Sequence, residues 1–351
     1  MLGIDARAMR ACWTVFLFAL TLVVLFLIRE TLIDFALAIF FAYLLAPLVN
    51  LVERFLPQRR NLALAIVYVA ILAVLITVGI NLGSRIADEA TSLAKRLPEM
   101  AANAKLPQLP IPEWLEPYKD KVYATAQNEA RQLSSSAVPL LQKATGQILS
   151  GLGALIPIIL VPILAFFFLK DARAISVALI GSVSGGRRQG LLQEILLDIH
   201  NLLSKYIRAL VILAVASATA WFLFLEILGA PYSLLLAGMC GLLEFIPVIG
   251  PAAAALIVVV VSAVSGSGGL LWIVLFFFLF RMFQDYVLSP QLMSAGVEVP
   301  PLLVLFGVLA GEQIAGIPGM FFSVPAIAIL RAVFTRLRAA RLALKAEPAA
   351  D

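Results

Sequence analysis

The sequence predicts an all-α, polytopic membrane protein, and three observations carry that prediction. Of its 351 residues, 62% are hydrophobic and only 13% charged, against about 25% charged in a soluble domain. Mean hydropathy is +1.02. Several apolar runs also reach the ~20 residues a helix needs to cross a bilayer. The expected architecture has about eight transmembrane segments, two of them glycine/proline-broken and forming re-entrant hairpins, plus a helical extracytoplasmic insert.

Residues 1–83 hold three apolar runs, near 11–28, 31–52 and 61–83. The first is long for a signal peptide and is followed by Arg29-Glu30 rather than a small-residue cleavage site, so it is expected to be retained. Arg7, Arg10, Arg54, Arg59 and Arg60 flank these runs. By the positive-inside rule they place the amino terminus in the cytoplasm and the end of the third run outside.

Residues 84–147 interleave basic and acidic side chains around a proline-rich turn, "LPQLPIPEWLEPY". Long segments of this kind cross membranes largely regardless of charge, so an extracytoplasmic helical insert is expected here. Residues 148–186 follow as a fourth span, near 148–169, and a cytoplasmic loop. In residues 187–207, Leu192, Ile195, Leu196, Ile199, Leu202, Leu203 and Tyr206 recur at helical spacing, with Glu194, Asp198, Asn201 and Lys205 opposite. That pattern predicts an amphipathic helix at the cytoplasmic interface. The single histidine, His200, lies on it, and a lone interfacial histidine is read as a solvated or hydrogen-bonded side chain.

Residues 208–331 form the expected transport core. Ser233–Val264 as one straight helix would reach ~48 Å, too long for ~30 Å of hydrocarbon and too short for two spans. "EFIPVIGP" interrupts it: Pro247 and Pro251 remove backbone donors, and Gly250 permits a sharp turn beside Glu244. The run at 300–331, "PLLVLFGVLAGEQIAGIPGMFFSVPAIAIL", is broken in the same way, with Glu312 and Gln313 just before Gly316 and Pro318. Paired interruptions of this kind, here within 231–265 and 300–331, mark the binding region of secondary transporters. An intramembrane acid costs about 2.5–3.5 kcal/mol on insertion scales and needs a reason. Glu244 is therefore a candidate ligand for a cation or polar solute, the alternative being a cap on amides freed by the prolines. Gln284 and Asp285 close the run near 269–283, and Arg281 lies one helical turn before Asp285, so an ion pair or a gate is expected there. The Gly307/Gly311 pair predicts close helix packing rather than chemistry. Residues 332–351 form a basic cytoplasmic tail, with Arg336, Arg338, Arg341 and Lys345 following Arg331.

Composition and motifs also exclude functions. No HExxH, GxSxG or P-loop occurs, and one histidine builds no metal site, so neither an enzyme nor a cofactor is expected. Nothing suggests nucleic-acid binding. Cys12 and Cys240 both lie in apolar segments, so no disulfide is expected.

The blocks "LGAPYSLLLAGMCGLLEFIPVIGP" and "QDYVLSPQLMSAGVEVPPLLVLFGVLAGEQIAGIPGMFFSVPAIAILR" resemble the autoinducer-2 exporter (AI-2E) family of transporters. The resemblance extends over most of the chain, and these two blocks carry it. It implies a multi-pass secondary transporter of the bacterial inner membrane, with homo-oligomers (pentamers included) and a small-molecule or ion substrate as partner; the flanking basic residues place both termini in the cytoplasm, and membrane lipids are the expected surroundings. By position the resemblance marks Glu244, Pro247, Gly250, Pro251, Asp285, Pro290, Glu312, Gly316 and Pro318. The leading expectation is export of a small polar organic solute by alternating access. A monovalent cation/proton antiporter and a non-transporting scaffold built on the insert are the alternatives.

Overall fold

In the computed structural model, residues 6–57, 59–102, 155–265, 269–292 and 300–346 are described, and every regular element among them is helical. The helices are α1 (Ala6–Leu27), α2 (Arg29–Phe55), α3 (Arg60–Ala102), α4 (Leu155–Gly181), α5 (Gly186–Ile227), α6 (Ser233–Leu243), α7 (Ile249–Val264), α8 (Leu270–Phe283), α9 (Ser289–Leu292) and α10 (Pro301–Ala346). A π-helix, Gln284–Leu288, joins α8 to α9.

Lipid cannot hydrogen-bond the backbone, so a spanning segment must satisfy its own amides, and apolar runs become helices. Among the described residues, five helical stretches are long and apolar enough to cross a membrane: α2, Arg60–Arg96 of α3, α5, Leu270–Leu292, and Pro301–Leu342 of α10. Cys12–Leu27, Ser233–Leu243 and Ile249–Ala263 are shorter apolar helices. Large side chains such as Phe18, Val69, Ile80 and Phe278 stand exposed on these helices. A surface of this kind is at home against acyl chains and would aggregate in water.

Several helices run further than the apolar runs alone suggest, among them α3 and α5. α3 continues past residue 83 to Ala102, carrying the start of the predicted insert as a rigid rod. Residues 103–154, and with them most of the 84–147 insert, lie outside the described residues. α5 passes without interruption from the amphipathic stretch into the fifth apolar run. It contains no proline, and its glycines, Gly186 and Gly190, lie in its first turns.

Three apolar clusters hold the helices together. Ala38, Ala42, Leu45 and Val49 of α2 pack with Ala63, Leu64 and Val67 of α3 and Val161, Ala165 and Leu169 of α4. The small side chains let backbones approach, which is how helices associate where no hydrophobic driving force exists. About 40 Å further along α3, Ala90 and Leu93 join Trp221 and Leu225 of α5, the facing sides of α6 and α7, and Ile273 of α8. Between them, Phe40 of α2 meets Tyr206, Ile207 and Leu210 of α5 and Phe321 and Val324 of α10.

Both proline-rich interruptions are real breaks. α6 has 11 residues and α7 has 16, about 16 Å and 24 Å, so neither alone matches ~30 Å of hydrocarbon. The turn between them is tight: a Cβ at Gly250 would collide with the Leu243 carbonyl, and Val248 sits at φ 66°. In α10 the helical geometry fails at Ala315 (φ −142°) and Gly316 (φ 62°, ψ −140°). The chain folds back there. A Cβ at Gly311 would strike the Gly319 backbone, and one at Gly307 would lie 3.4 Å from Ser323 Cβ and against Ile327. On a straight helix, Gly307 and Ile327 would be about 30 Å apart. The Gly307/Gly311 spacing therefore serves close packing between the two arms of one helical hairpin.

Candidate functional site

Glu244 directly follows α6 and is only 8% exposed. Backbone amides around it are already occupied. Glu244 N donates to Cys240 O, Phe245 N to Leu242 O, Ile246 N to Leu243 O, Ile249 N to Pro247 O and Gly250 N to Ile246 O, all between 2.7 and 3.2 Å. Local turns thus occupy these amides, and the carboxylate is left to face other elements. Its ion-pair partner is Arg281 of α8, with Nη1 3.6 Å from Oε1. That separation is an electrostatic contact, too long for a hydrogen bond.

Arg281 also donates from Nε to Asp285 Oδ2 at 3.0 Å, the predicted i, i+4 pair. Two carboxylates from different segments therefore share one guanidinium. Next to Asp285, Gln284 is buried at 3% exposure, and its Nε2 makes no hydrogen bond within good geometry. Both residues fall in the five-residue π-helix that follows α8. Such a turn interrupts the regular ladder and is frequent at functional sites.

Glu244, Arg281 and Gln284 line one cleft, while Asp285 is exposed and stands outside its lining. Ser217 and Trp221 of α5, Cys240 of α6, Pro251 and Ala254 of α7, and Phe277 and Phe280 of α8 complete its walls. The cleft is narrow, with about the room one water molecule occupies, so it is filled largely by its own side chains. Its walls combine an aromatic, apolar lining with four convergent polar side chains: Ser217, Glu244, Arg281 and Gln284.

The other sequence-marked positions are spread more widely. Pro247 is half-buried in the α6–α7 turn, and Gly250 is buried against Leu243. Pro290 is exposed in α9. Glu312 and Gln313 are exposed on the first arm of α10, while Gly316 and Pro318 form its turn. The two breaks thus look alike along the chain and differ in space: the first aims its acid into the cleft, and the second leaves its acid on the surface. An aromatic cluster nevertheless joins them. Phe245, beside Glu244, packs edge-on to Phe40 at 6.2 Å and against Phe321 of the second α10 arm at 5.7 Å.

Sequence reasoning paired Arg281 with Asp285 and missed its contact with Glu244. The available signal was that Arg281 is the single charge in Leu270–Phe283. Ser217, Trp221, Cys240, Phe277 and Phe280 were also missed. Ser217 and Trp221 were legible only as members of the buried i, i+4 stripe Leu213–Ser217–Trp221–Leu225 on α5.

Three further polar contacts tie distant elements together. Glu89 of the α3 extension accepts a hydrogen bond from Leu235 N at 2.8 Å, capping the first turn of α6 from outside. Ser233 donates to Glu226 at 2.6 Å in the same place. At the far end of α5, Arg336 of α10 donates to both Asp198 oxygens, at 3.0 Å from Nη2 to Oδ1, and to Glu194 at 2.9 Å. His200 lies 3.1 Å from the Tyr43 hydroxyl through Nδ1, a hydrogen-bonded side chain as expected. Among the described residues, no group of three or more His, Cys, Asp or Glu side chains is placed to hold a metal ion, and both Cys12 and Cys240 are free.

Comparison with known proteins matches residues 15–339 to the family described as "AI-2E family transporter". Two relatives from Bacillus subtilis align over most of their length. "Putative transport protein YueF" is 23% identical over 84% of this chain and 81% of its own. "Putative transport protein YrrI" is 23% identical over 89% and 88%. A "Putative transport protein" from Methanothermobacter thermautotrophicus is 31% identical over 27% of this chain and 28% of its own.

Proposed function

This chain belongs to the AI-2E transporter family, a multi-pass membrane protein with a transport role, and from that premise we propose that it exports a small polar organic solute of the autoinducer-2 type. The observation that carries the reading is the narrow cleft in which Arg281 meets the buried Glu244 beside the buried Gln284 amide, with the exposed Asp285 as the second partner of Arg281. A hydroxylated solute offers donors to the carboxylates and acceptors to Arg281 and Gln284, so it can replace the ion pairs one for one. Trp221, Phe277 and Phe280 give its carbon skeleton an apolar wall. A monovalent cation is less well served, because a resident positive charge already lies 3.6 Å from Glu244.

Transport proceeds by alternating access. The two broken segments act as re-entrant hairpins, linked through Phe245 and Phe321, and their movement opens the cleft first to one side and then to the other. The protein works in the bacterial inner membrane with both termini in the cytoplasm, as a homo-oligomer.

The test is flux through purified protein in liposomes loaded with autoinducer-2, comparing wild type with Glu244→Gln and Arg281→Gln. Protein-dependent efflux that falls at least tenfold in both variants is the expected outcome. A sodium gradient that drives a pH-sensitive dye response, lost in Glu244→Gln, would instead establish cation/proton antiport. Efflux unchanged in both variants would remove the cleft from the mechanism.

A further inference from the structure

The last turns of α10 present two opposite faces. Ala332, Val333, Arg336 and Ala340 are half-buried and share one side of the helix, the side whose Arg336 docks on Glu194 and Asp198 of α5. Across the helix, Arg331, Arg338 and Arg341 fall within one arc at 100° per residue. All three are exposed, and none forms an ion pair with a described residue. Large apolar side chains share that arc or border it: Leu330 is 69% exposed and Phe334 67%, with Leu337 and Leu342 beside them. No acid occurs in the sequence between Glu312 and Glu347.

We propose that this face of α10, built on Arg331, Arg338 and Arg341 with Phe334 between them, is a docking surface for anionic lipid headgroups. The reasoning rests on what each neighbour excludes. A water-facing helix would have no use for an exposed phenylalanine in the middle of a cationic stripe. A face buried in hydrocarbon would not carry three unpaired guanidinium groups. The headgroup–acyl boundary accepts both, since arginine stems lie along apolar chains while their heads reach phosphate, and the aromatic ring enters the chains. Guanidinium forks also match phosphate geometry.

Continuity supports the same occupant. The second arm of α10 runs directly from its apolar stretch into the stripe, so the first cation meets the headgroup layer where the helix leaves the hydrocarbon. From Arg331 to Arg341 the stripe is about 15 Å long, longer than a headgroup layer is deep, so this part of α10 leans along the surface with the amphipathic half of α5 beneath it. Arg336 is set apart from the stripe: its charge is already met by protein carboxylates.

The full-length protein is placed in nanodiscs of phosphatidylcholine alone or mixed with phosphatidylglycerol, and the lipids retained after delipidation are counted by mass spectrometry. Wild type should retain phosphatidylglycerol above its bulk share, and the enrichment should weaken as salt is raised. At about fivefold per cation, Arg331→Gln, Arg338→Gln and Arg341→Gln together should reduce it by up to about a hundredfold. The matching triple lysine variant should retain most of it. Should the triple glutamine variant fail to fold, each single variant is read for its own fivefold loss. Equal retention of the two lipids by wild type, or full enrichment in the glutamine variants, would overturn the proposal. So would binding of soluble poly-glutamate without lipid enrichment, which would assign the face to an acidic protein.

Discussion

At the residue scale, the cleft depends on one guanidinium serving two carboxylates. Removing one partner of a fully buried ion pair costs about 3–5 kcal/mol; Glu244 is buried but Arg281 is one-third exposed, so the loss here is smaller. Arg281→Gln should therefore lower the unfolding temperature of the detergent-solubilised protein below wild type. Glu244→Gln combined with Arg281→Gln should recover a large part of that loss, since the one carboxylate left without its partner, Asp285, is exposed to water. Double-variant stability no better than that of Arg281→Gln would show that Glu244 does not depend on Arg281. The same scale holds a backbone prediction. Gly316 combines φ 62° with ψ −140°, a region that side chains other than glycine's strongly disfavour. Gly316→Ala should cost about 1–3 kcal/mol, read in the same melts. Glu244 was legible in the sequence because an acid beside two prolines is unusual in an apolar run. Its partner was not: Arg281 lies on another helix, and spacing along a chain reports only neighbours on the same element.

At the element scale, α6 is a short helix fastened at both ends by other elements. Glu89 caps its first turn, and Glu244 at its far end is held by Arg281. An isolated helix of 11 residues is marginal, so these attachments set how firmly the first hairpin stands. Loss of a cap costs about 1 kcal/mol. Glu89→Ala should raise hydrogen–deuterium exchange at the start of α6, with little change in α2. Unchanged exchange there would mean that packing alone secures the helix. This contact also joins the far part of α3 to the first broken segment, a link hidden from the sequence because Glu89 and Leu235 lie 146 residues apart. The π-helix at Gln284–Leu288 was hidden as well. No residue type marks a π-turn, and such turns are rare single interruptions within α-helices.

At the scale of the whole molecule, the clusters at the two ends of α3 are bridged by Phe40, Tyr206, Phe245 and Phe321, so both broken segments rest on a common aromatic contact. Beyond it, Arg336 fastens the end of α10 to α5 through two carboxylates. The residues of this clamp are partly exposed, and their attraction should be screened by salt. Arg336→Gln should increase the distance between spin labels placed on the ends of α5 and α10, and high salt should shift the wild-type distance the same way. A distance unmoved by either change would leave the apolar contacts as the only fastening.

The sequence by itself determined the environment, the helical class, the apolar runs and the positions of both breaks. These follow from local chemistry, since in lipid each segment must satisfy its own backbone, and proline and glycine dictate where it cannot continue as a helix. Tertiary structure alone decided that the two similar breaks differ, one turning its acid to Arg281 and the other leaving Glu312 exposed. It also decided the π-turn and the fastenings by Glu89 and Arg336. Each of these depends on which helix faces which, and facing is fixed by close packing of small and aromatic side chains from distant parts of the chain.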